Sequence, residues 1–350
     1  MTQPSPVMDA LNRPLGLLRL SLTARCNLAC PYCCPESVEP PGLLSTSEQL
    51  RVIRAVCELG VHTLRLTGGE PLLTNRIWPL LEEISVLRRD PSHPFSGLKD
   101  IAITTNGSLL DEVKAQRMRA LGVDRITISM DAVAGASVAK MAGLRQGDAA
   151  GTDLFRRVLA GLDAARSAGF DSKKSELKLN AVIQRGRNDD QLIPLARFAR
   201  QQGLELRLIE YMDVGNRNGW CPSEVISANE MVESLHQYWP LKPIGRRVNG
   251  TSRQWSYTDG GGVIGTIASI SEPFCSDCNR LRVTADGQAF TCLFASTGTD
   301  LRGWLHRNGS DLVLKQGIAQ LWNGRADRFS EERESSQEAK PHAEMAFLGG

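Results

Sequence analysis

No run of apolar residues in this chain is long enough to cross a bilayer. The opening stretch, MTQPSPVMDALNRPLG, has neither the basic region nor the apolar core of a secretory signal. A charge bias is lacking too: 41 Lys plus Arg stand against 39 Asp plus Glu, a formal +2. No global field therefore points to nucleic acid or to a membrane surface, and an anionic ligand must be held by a local cluster. The five His residues occupy no metal-like spacing, and no internal repeat recurs along the chain. What remains is the expectation of a cytoplasmic protein in a reducing compartment. Its 350 residues, 41% hydrophobic, suffice for a sizeable core and exceed one average domain.

Against these absences stand nine cysteines. In a reducing compartment they serve metals or catalysis more often than disulfides. Cys26, Cys30, Cys33 and Cys34 crowd one early loop; Cys275, Cys278 and Cys292 form a late group; Cys57 and Cys221 stand alone. Cys57 extends the apolar stripe Leu50–Ile53–Val56 and belongs to the core by that pattern.

Short β-rich runs alternate with helical stretches from about residue 16 to 215. The strand candidates are Leu17–Thr23, Thr63–Thr67, Asp100–Thr104, Arg125–Met130, Leu177–Gln184 and Glu205–Glu210. A capping box, Ser45 with Glu48, opens a helix that stops at Gly60; further helices are expected over about 154–168 and 189–202. Such alternation predicts parallel βαβ units and, with six strands, an incomplete (βα)6 TIM-like barrel. Within the strands Arg19, Ser21 and Thr23 share one face, Arg65 and Thr67 another, and Thr127, Ser129 and Asp131 a third; Lys178 and Asn180 do the same. One polar face per strand predicts an open, ligand-filled interior with the apolar faces on the helices; a sheet with one solvated side is the alternative. After Trp220 the rhythm breaks into a connecting helix (221–245), short strands rich in turns (247–295), a helical stretch (298–325) and a polar, flexible segment (329–341). Local expansions are expected at 88–99 and 137–150. The division expected is 1–235 for the barrel and 236–350 for a smaller C-terminal domain.

Cys26, Cys30 and Cys33 form a C-x3-C-x2-C loop just past the first strand. Three close thiolates suit three irons of a [4Fe–4S] cube and leave the fourth iron open; a zinc site is the alternative and would want a fourth ligand. Gly68-Gly69-Glu70-Pro71 follows the second strand, Thr104-Thr105-Asn106-Gly107 ends the third, and Ser129 and Asp131 end the fourth. Polar groups at the carboxyl ends of parallel strands are where barrel ligands sit. The late group, C-x2-C with Cys292 after thirteen intervening residues, fits a second cube or zinc.

The loop with Tyr32 before its last Cys, and the Gly-Gly-Glu-Pro turn after the second strand, resemble the radical S-adenosylmethionine (SAM) superfamily. Ser271-Glu-Pro-Phe-Cys-Ser-Asp-Cys-Asn-Arg-Leu-Arg282, Thr291-Cys-Leu-Phe294, Arg207-Leu-Ile-Glu-Tyr-Met212 and the Phe347-Leu-Gly-Gly350 end resemble its cyclases of molybdenum cofactor biosynthesis. The resemblance covers roughly residues 15–350. It implies a lyase-class enzyme that converts GTP to (8S)-3′,8-cyclo-7,8-dihydroguanosine 5′-triphosphate. SAM bound to one cube is cleaved to a 5′-deoxyadenosyl radical, and a second cube beside the guanine supplies the quenching electron.

By the same resemblance Cys26, Cys30 and Cys33 hold the SAM cluster and Cys275, Cys278 and Cys292 the other. Tyr32, Gly69, Glu70, Ser129 and Met212 contact SAM. Arg19, Arg65, Thr104, Lys178, Arg207, Arg280, Leu281 and Arg282 meet GTP, and Arg280, Arg282, Gly349 and Gly350 assist catalysis. Buried triphosphate needs paired cations, and Arg offers a bidentate fork. The implied partners are a second copy of the chain, a flavodoxin- or ferredoxin-type reductant and pyranopterin monophosphate synthase downstream. Cys34 departs from the apolar residue usual there. A peptide-modifying radical SAM enzyme with an auxiliary cluster is the nearest rival, and a zinc-stabilised binding protein the rival from another class.

Overall fold

The computed structural model describes residues 5–306, 310–333 and 342–348. Six strands lie side by side in chain order: β1 (Leu17–Ser21), β2 (Thr63–Thr67), β3 (Asp100–Thr105), β4 (Arg125–Ser129), β5 (Leu177–Ile183) and β6 (Glu205–Glu210). Every neighbouring pair among them is parallel. Helices return the chain between strands: α1 (Thr46–Glu58), α2 (Ile77–Arg88), α3 (Glu112–Ala120), α4 (Gly135–Ala142), α5 (Gly147–Ser167) and α6 (Leu192–Gln201). At the start of α1, Ser45 accepts from the Glu48 amide while the Glu48 carboxylate accepts from the Ser45 amide, the reciprocal cap expected. This is an incomplete (βα)6 barrel.

Two helices differ from the sequence expectation. Residues 137–150 are no loose expansion: they hold most of α4 and the first turn of α5, which begins at Gly147 rather than near 154. Glycine there reads as a loop former, but a Cβ on Gly151 would lie 1.8 Å from the Gly135 carbonyl oxygen. The residue is glycine because two helix backbones cross in contact. The stretch 88–99 holds the end of α2 and a short 3-10 turn, Pro94–Gly97.

Beyond β6 come α7 (Ala228–His236) and an antiparallel meander of β7 (Leu241–Arg246), β8 (Arg253–Tyr257) and β9 (Val263–Ile267). β9 then pairs with β6 in parallel, Leu206 opposite Ile264. β10 (Arg280–Val283) pairs with β1 in parallel, Arg19 opposite Arg282, and carries β11 (Gln288–Phe290) and β12 (Thr299–Asp300) on its outer edge. The late strands thus extend the six-stranded barrel at both edges and make one sheet of the described strands. Short helices α8 (Arg302–Leu305), α9 (Asp311–Asn323), α10 (Phe329–Glu332) and α11 (Met345–Leu348) complete the described chain. Of the segment expected to be flexible, Phe329–Glu332 is helical, and 334–341 lie outside the described residues.

The period-2 alternation divides the sheet into two faces. Leu18, Leu20, Leu64, Leu66, Ile126 and Ile128 are fully buried against the helices. Arg19, Arg65, Asn180 and Arg207 point the other way, into a cavity enclosed by the barrel. Among the described residues no helix is long and apolar enough to cross a membrane.

Candidate active site

The first cysteine loop leaves β1 and folds back on itself through two amide bonds, Cys33 N and Cys34 N each to the Cys30 carbonyl at 3.0 Å. Its seat is fixed from several sides. Gly69 N donates to Thr23 O at 2.8 Å and Glu70 N to Arg25 O at 2.9 Å, so the Gly-Gly-Glu-Pro turn is laid against the loop. A Cβ on Gly69 would sit 2.3 Å from the Arg25 oxygen, which is why glycine stands there. The Glu70 carboxylate is wholly buried and accepts from Leu72 N, Thr105 Oγ1 (2.7 Å) and Asn106 N (2.7 Å). It joins the turn to the end of β3. Tyr32 donates its hydroxyl to Asp131 at 2.7 Å, and Val182 N donates to the other Asp131 oxygen at 2.8 Å, fixing the loop over the ends of β4 and β5. Burial lifts the Asp131 carboxyl to about 6 against the pull of these two bonds.

The donor chemistry of this loop fits an iron–sulfur cube. Burial, then Asp131 and then Cys33 and Cys26, push the Cys30 thiol well above its ordinary value. Burial and the same crowding put Cys33 at about 12. Three thiolates cannot coexist there unless metal cations neutralise them, and coordination deprotonates a thiol outright.

The second group lies across the interior. Cys275 opens a 3-10 turn, Cys278 closes it, and Cys292 follows β11. All three border one cavity with Arg19, Arg65 and Arg282. Burial raises the Cys278 thiol, but the guanidinium groups of Arg280, Arg325 and Arg282 outweigh it and bring it to about 6. The Cys278 thiol is thereby predisposed to the thiolate a metal needs, whereas burial, and Asp327 after it, raise Cys292 to about 11.

Beside the late cysteines the barrel interior is basic. Register puts Arg19 beside Arg65 on one side and Arg282 on the other, and Asn180 beside Arg207. Burial first, and mutual repulsion second, lower Arg65 to about 9 and Arg282 to about 10. Several of their donors meet no protein acceptor among the described residues: Arg65 Nε, Arg280 Nε, and Arg282 Nε and Nη1. Thr104 Oγ1 is likewise buried without a partner. Unsatisfied buried donors of this number call for an anion with many oxygens. Lys178 is paired with Glu205 at 2.9 Å, and Glu205 also accepts from Arg207 Nε at 2.7 Å. Leu281 is the exception on β10: its side chain is fully buried in the hydrophobic core, on the face opposite Arg280 and Arg282.

One small apolar wall connects everything. Val214, Phe294 and Met345 form it, and Tyr32, Cys33, Met212 and Cys292 pack against it. A residue from each cysteine group thus touches the same cluster, as does the C-terminal α11. Two family models match the chain: the Radical SAM superfamily over residues 20–199 and Molybdenum Cofactor Synthesis C over 204–331. Relatives named GTP 3′,8-cyclase match from end to end, covering all of both chains: one from Synechococcus sp. (strain CC9605) at 61% identity and one from Acidothermus cellulolyticus at 40%. The chain belongs to the GTP 3′,8-cyclase family. Enzymes of the GTP 3′,8-cyclase family use SAM and two [4Fe–4S] clusters.

The radical SAM fold is also seen in two solved structures. Streptococcus suis SuiB bound to S-adenosylmethionine has a TM-score of 0.59 at 13% identity, over 97% of this chain and 73% of that one. Native anSMEcpe with bound AdoMet has 0.57 at 16%, over 95% and 94%. At these identities the likeness is one of fold.

The sequence reading assigned no place to Glu205 or Arg217, which the structure puts among the expected site residues. Glu205 sits two before Arg207 on the inner face of β6, so the alternation of that strand already pointed to it. Arg217 left no such signal: it donates to Cys34 O at 2.8 Å and pairs with Glu36 at 2.6 Å and Glu344 at 3.4 Å, tying three distant segments together. Cys34 itself adopts φ 47°, with its Sγ 3.2 Å from Pro31 O, directed at the loop's own backbone. Cys221 is exposed beside Ser223, and Cys57 is buried in the core as its stripe predicted. Gly349 and Gly350 lie outside the described residues.

Proposed function

We propose that this chain is a radical SAM GTP 3′,8-cyclase, a lyase that converts GTP to (8S)-3′,8-cyclo-7,8-dihydroguanosine 5′-triphosphate in the first step of molybdenum cofactor biosynthesis. The observation that supports this reading is that Cys33 of the first loop and Cys292 of the late group pack on one apolar cluster, beside a cavity bordered by Cys275, Cys278 and Cys292 and walled by buried guanidinium donors. Cys26, Cys30 and Cys33 would hold the SAM cluster, bordered by Tyr32, Gly69, Glu70, Ser129 and Met212. Cys275, Cys278 and Cys292 would hold the auxiliary cluster. When bound, SAM and its cluster supply a one-electron cleavage that yields a hydrogen-abstracting radical.

The chain's own residues do the rest. Arg19, Arg65, Lys178, Arg207, Arg280 and Arg282 take up the triphosphate and orient the nucleoside, with Thr104 Oγ1 as a further polar contact. The Leu281 side chain faces the core, so its part would be played by backbone. Val214, Phe294 and Met345 exclude water from between the two cysteine groups, which protects a reactive radical from side reactions. Holding ribose and base rigidly brings C3′ and C8 of one nucleotide within bonding reach, and the product is an isomer of GTP. Gly349 and Gly350 would assist catalysis, as the family resemblance implies.

In the division of labour we propose, residues 1–235 carry the SAM half and 236–350 the auxiliary-cluster half. The same proposal includes a cytoplasmic homodimer, served by a flavodoxin- or ferredoxin-type reductant and delivering its product to pyranopterin monophosphate synthase. The test is an anaerobic reaction of iron- and sulfide-loaded protein with SAM, dithionite and GTP, followed by chromatography with mass detection. 5′-Deoxyadenosine together with a new GTP isomer is expected. 5′-Deoxyadenosine without GTP consumption would overturn the substrate, and neither product from iron-loaded protein would overturn the enzyme.

A further inference from the structure

Residues 5–14 precede both family models and have so far no task. They are nonetheless folded. Met8 bridges Pro14, and Leu15 N donates to Val7 O at 2.9 Å, closing a small hairpin. Inside it, Asp9 accepts from Arg13 Nε at 2.5 Å and from the amides of Leu11 and Arg13. Both charged side chains are almost inaccessible, 1% for Arg13 and 0% for Asp9.

This buried pair reaches across 262 residues of sequence. Arg13 Nη1 donates to the Cys275 carbonyl at 2.9 Å and to the Asp327 carbonyl at 2.8 Å. Arg325 Nη1 donates to the Cys278 carbonyl at 2.7 Å and lies 3.8 Å from Asp9. The Asp327 carboxylate accepts from Thr291 Oγ1, the residue before Cys292, at 2.8 Å. Trp322 Nε1 donates to Arg13 O and Ala10 N to Arg325 O, both at 3.1 Å, so hairpin and C-terminal segment are joined by backbone as well.

A buried guanidinium needs acceptors for its donors: Arg13 Nε and Nη1 have them, while Nη2 makes no hydrogen bond among the described residues and lies 3.9 Å from the Asp327 carboxylate. Here the acceptors are the carbonyls of two of the three late cysteines, and the third is gripped through its neighbour. We propose that the hairpin Val7–Leu15, acting through Arg13 and together with Arg325, is part of the auxiliary-cluster site and positions the Cys275 and Cys278 thiols by their backbone carbonyls. Arg13 is thus a positioning residue. The proposal rests on the reading that Cys275, Cys278 and Cys292 hold an iron–sulfur cube.

Positioning is reciprocal: if the hairpin orders the cysteine turn, a cluster on that turn must order the hairpin. Two measurements follow, both on the full chain. In the wild type, hydrogen exchange of the amides of residues 9–15 is compared with and without iron; loading is expected to slow it at least about tenfold, and equal rates would overturn the proposal. In the second, Arg13→Gln is loaded with iron and sulfide. It is expected to lose the iron and the electron-paramagnetic signal of the auxiliary cluster while the SAM-responsive signal of the first cluster stays. Arg13→Lys, which keeps the charge but cannot hold Asp9 from one nitrogen and the two carbonyls from another, is expected to recover part of the auxiliary iron. A general loss of folding would lower both clusters together, and full, spectroscopically unchanged iron in Arg13→Gln would refute the positioning role. If the wild type took up iron for one cube only, the failure would lie with the auxiliary-cluster reading itself.

Discussion

Replacing Glu205 by Gln removes a carboxylate that stands between Lys178 (2.9 Å) and Arg207 (2.7 Å) inside the barrel. Burial raises the Glu205 carboxyl, but Arg207 and Lys178 outweigh it and hold it at about 2, against an ordinary 4.5. A displacement of that size corresponds to about 3 kcal/mol of stabilisation at neutral pH. Since the folded value is the lower one, this contribution is complete above 4.5 and is lost as the pH falls toward 2. Lys178 carries the opposite sign. Burial, and Arg207 after it, pull its ammonium down from 10.5 to about 8 although Glu205 favours the charge. Keeping it protonated lowers stability below about 8, and that penalty fades as the pH rises from there to 10.5.

Glu205→Gln leaves both cations nearly buried without their counter-charge, which for a broken buried pair costs about 3–5 kcal/mol. For 350 residues the unfolding entropy is about 0.7 kcal/mol per kelvin, so the lower figure lowers Tm by about 4 °C. GTP should restore the missing negative charge. The rise in Tm on adding GTP is therefore larger in the variant than in the wild type. The assay is anaerobic thermal unfolding at pH 7 of iron-loaded protein without reductant, so that no turnover occurs. An unchanged Tm, or a GTP-induced rise smaller than that of the wild type, would refute the reasoning.

Cys292→Ala, with the first loop intact, should keep the SAM-dependent formation of 5′-deoxyadenosine and lose the GTP isomer; full-rate cyclisation would show that the late cysteines serve no cluster needed for the reaction. Gly69→Ala would place a Cβ 2.3 Å from the Arg25 oxygen, so turn and cysteine loop must separate; the expected outcome is loss of more than half of the first-cluster iron on reconstitution, measured by iron content and SAM-responsive spectra. Arg217→Ala removes the pairs to Glu36 and Glu344 and the bond to Cys34 O. These are largely exposed, worth about 1 kcal/mol together, so Tm should barely move; hydrogen exchange in 343–348 should quicken severalfold, and unchanged exchange would show that the ionic clasp does not hold the C-terminal segment.

What the sequence disclosed and what it hid follow one physical division. β2 and β6 have the ends expected, and the other barrel strands agree within two residues, because each alternates one apolar face against helices with one polar face. The same alternation, a purely local pattern, assigns Arg19, Arg65, Lys178 and Arg207 to the inner face. Local spacing disclosed both cysteine groups as well, since three ligands of one cube come from a single turn or from neighbouring ones. Interactions closing over long separations left no local trace. The bonds from Arg13 to Cys275 O and from Arg217 to Glu36 span 262 and 181 residues, and an isolated Arg reads as a surface charge until the fold supplies its acceptors. Gly151 was hidden for a related reason: its lack of a side chain answers to Gly135 on another helix and not to a turn of its own. The two cysteine loops are themselves seated by such long-range contacts, Asp131 to Tyr32 on one and Arg13 with Arg325 on the other. The candidate ligands are thus legible locally in the motifs, whereas the contacts that seat their loops come from residues that the motifs do not contain. It follows that variants at Asp131, Arg13 or Arg325 should impair cluster assembly while every motif cysteine remains in place.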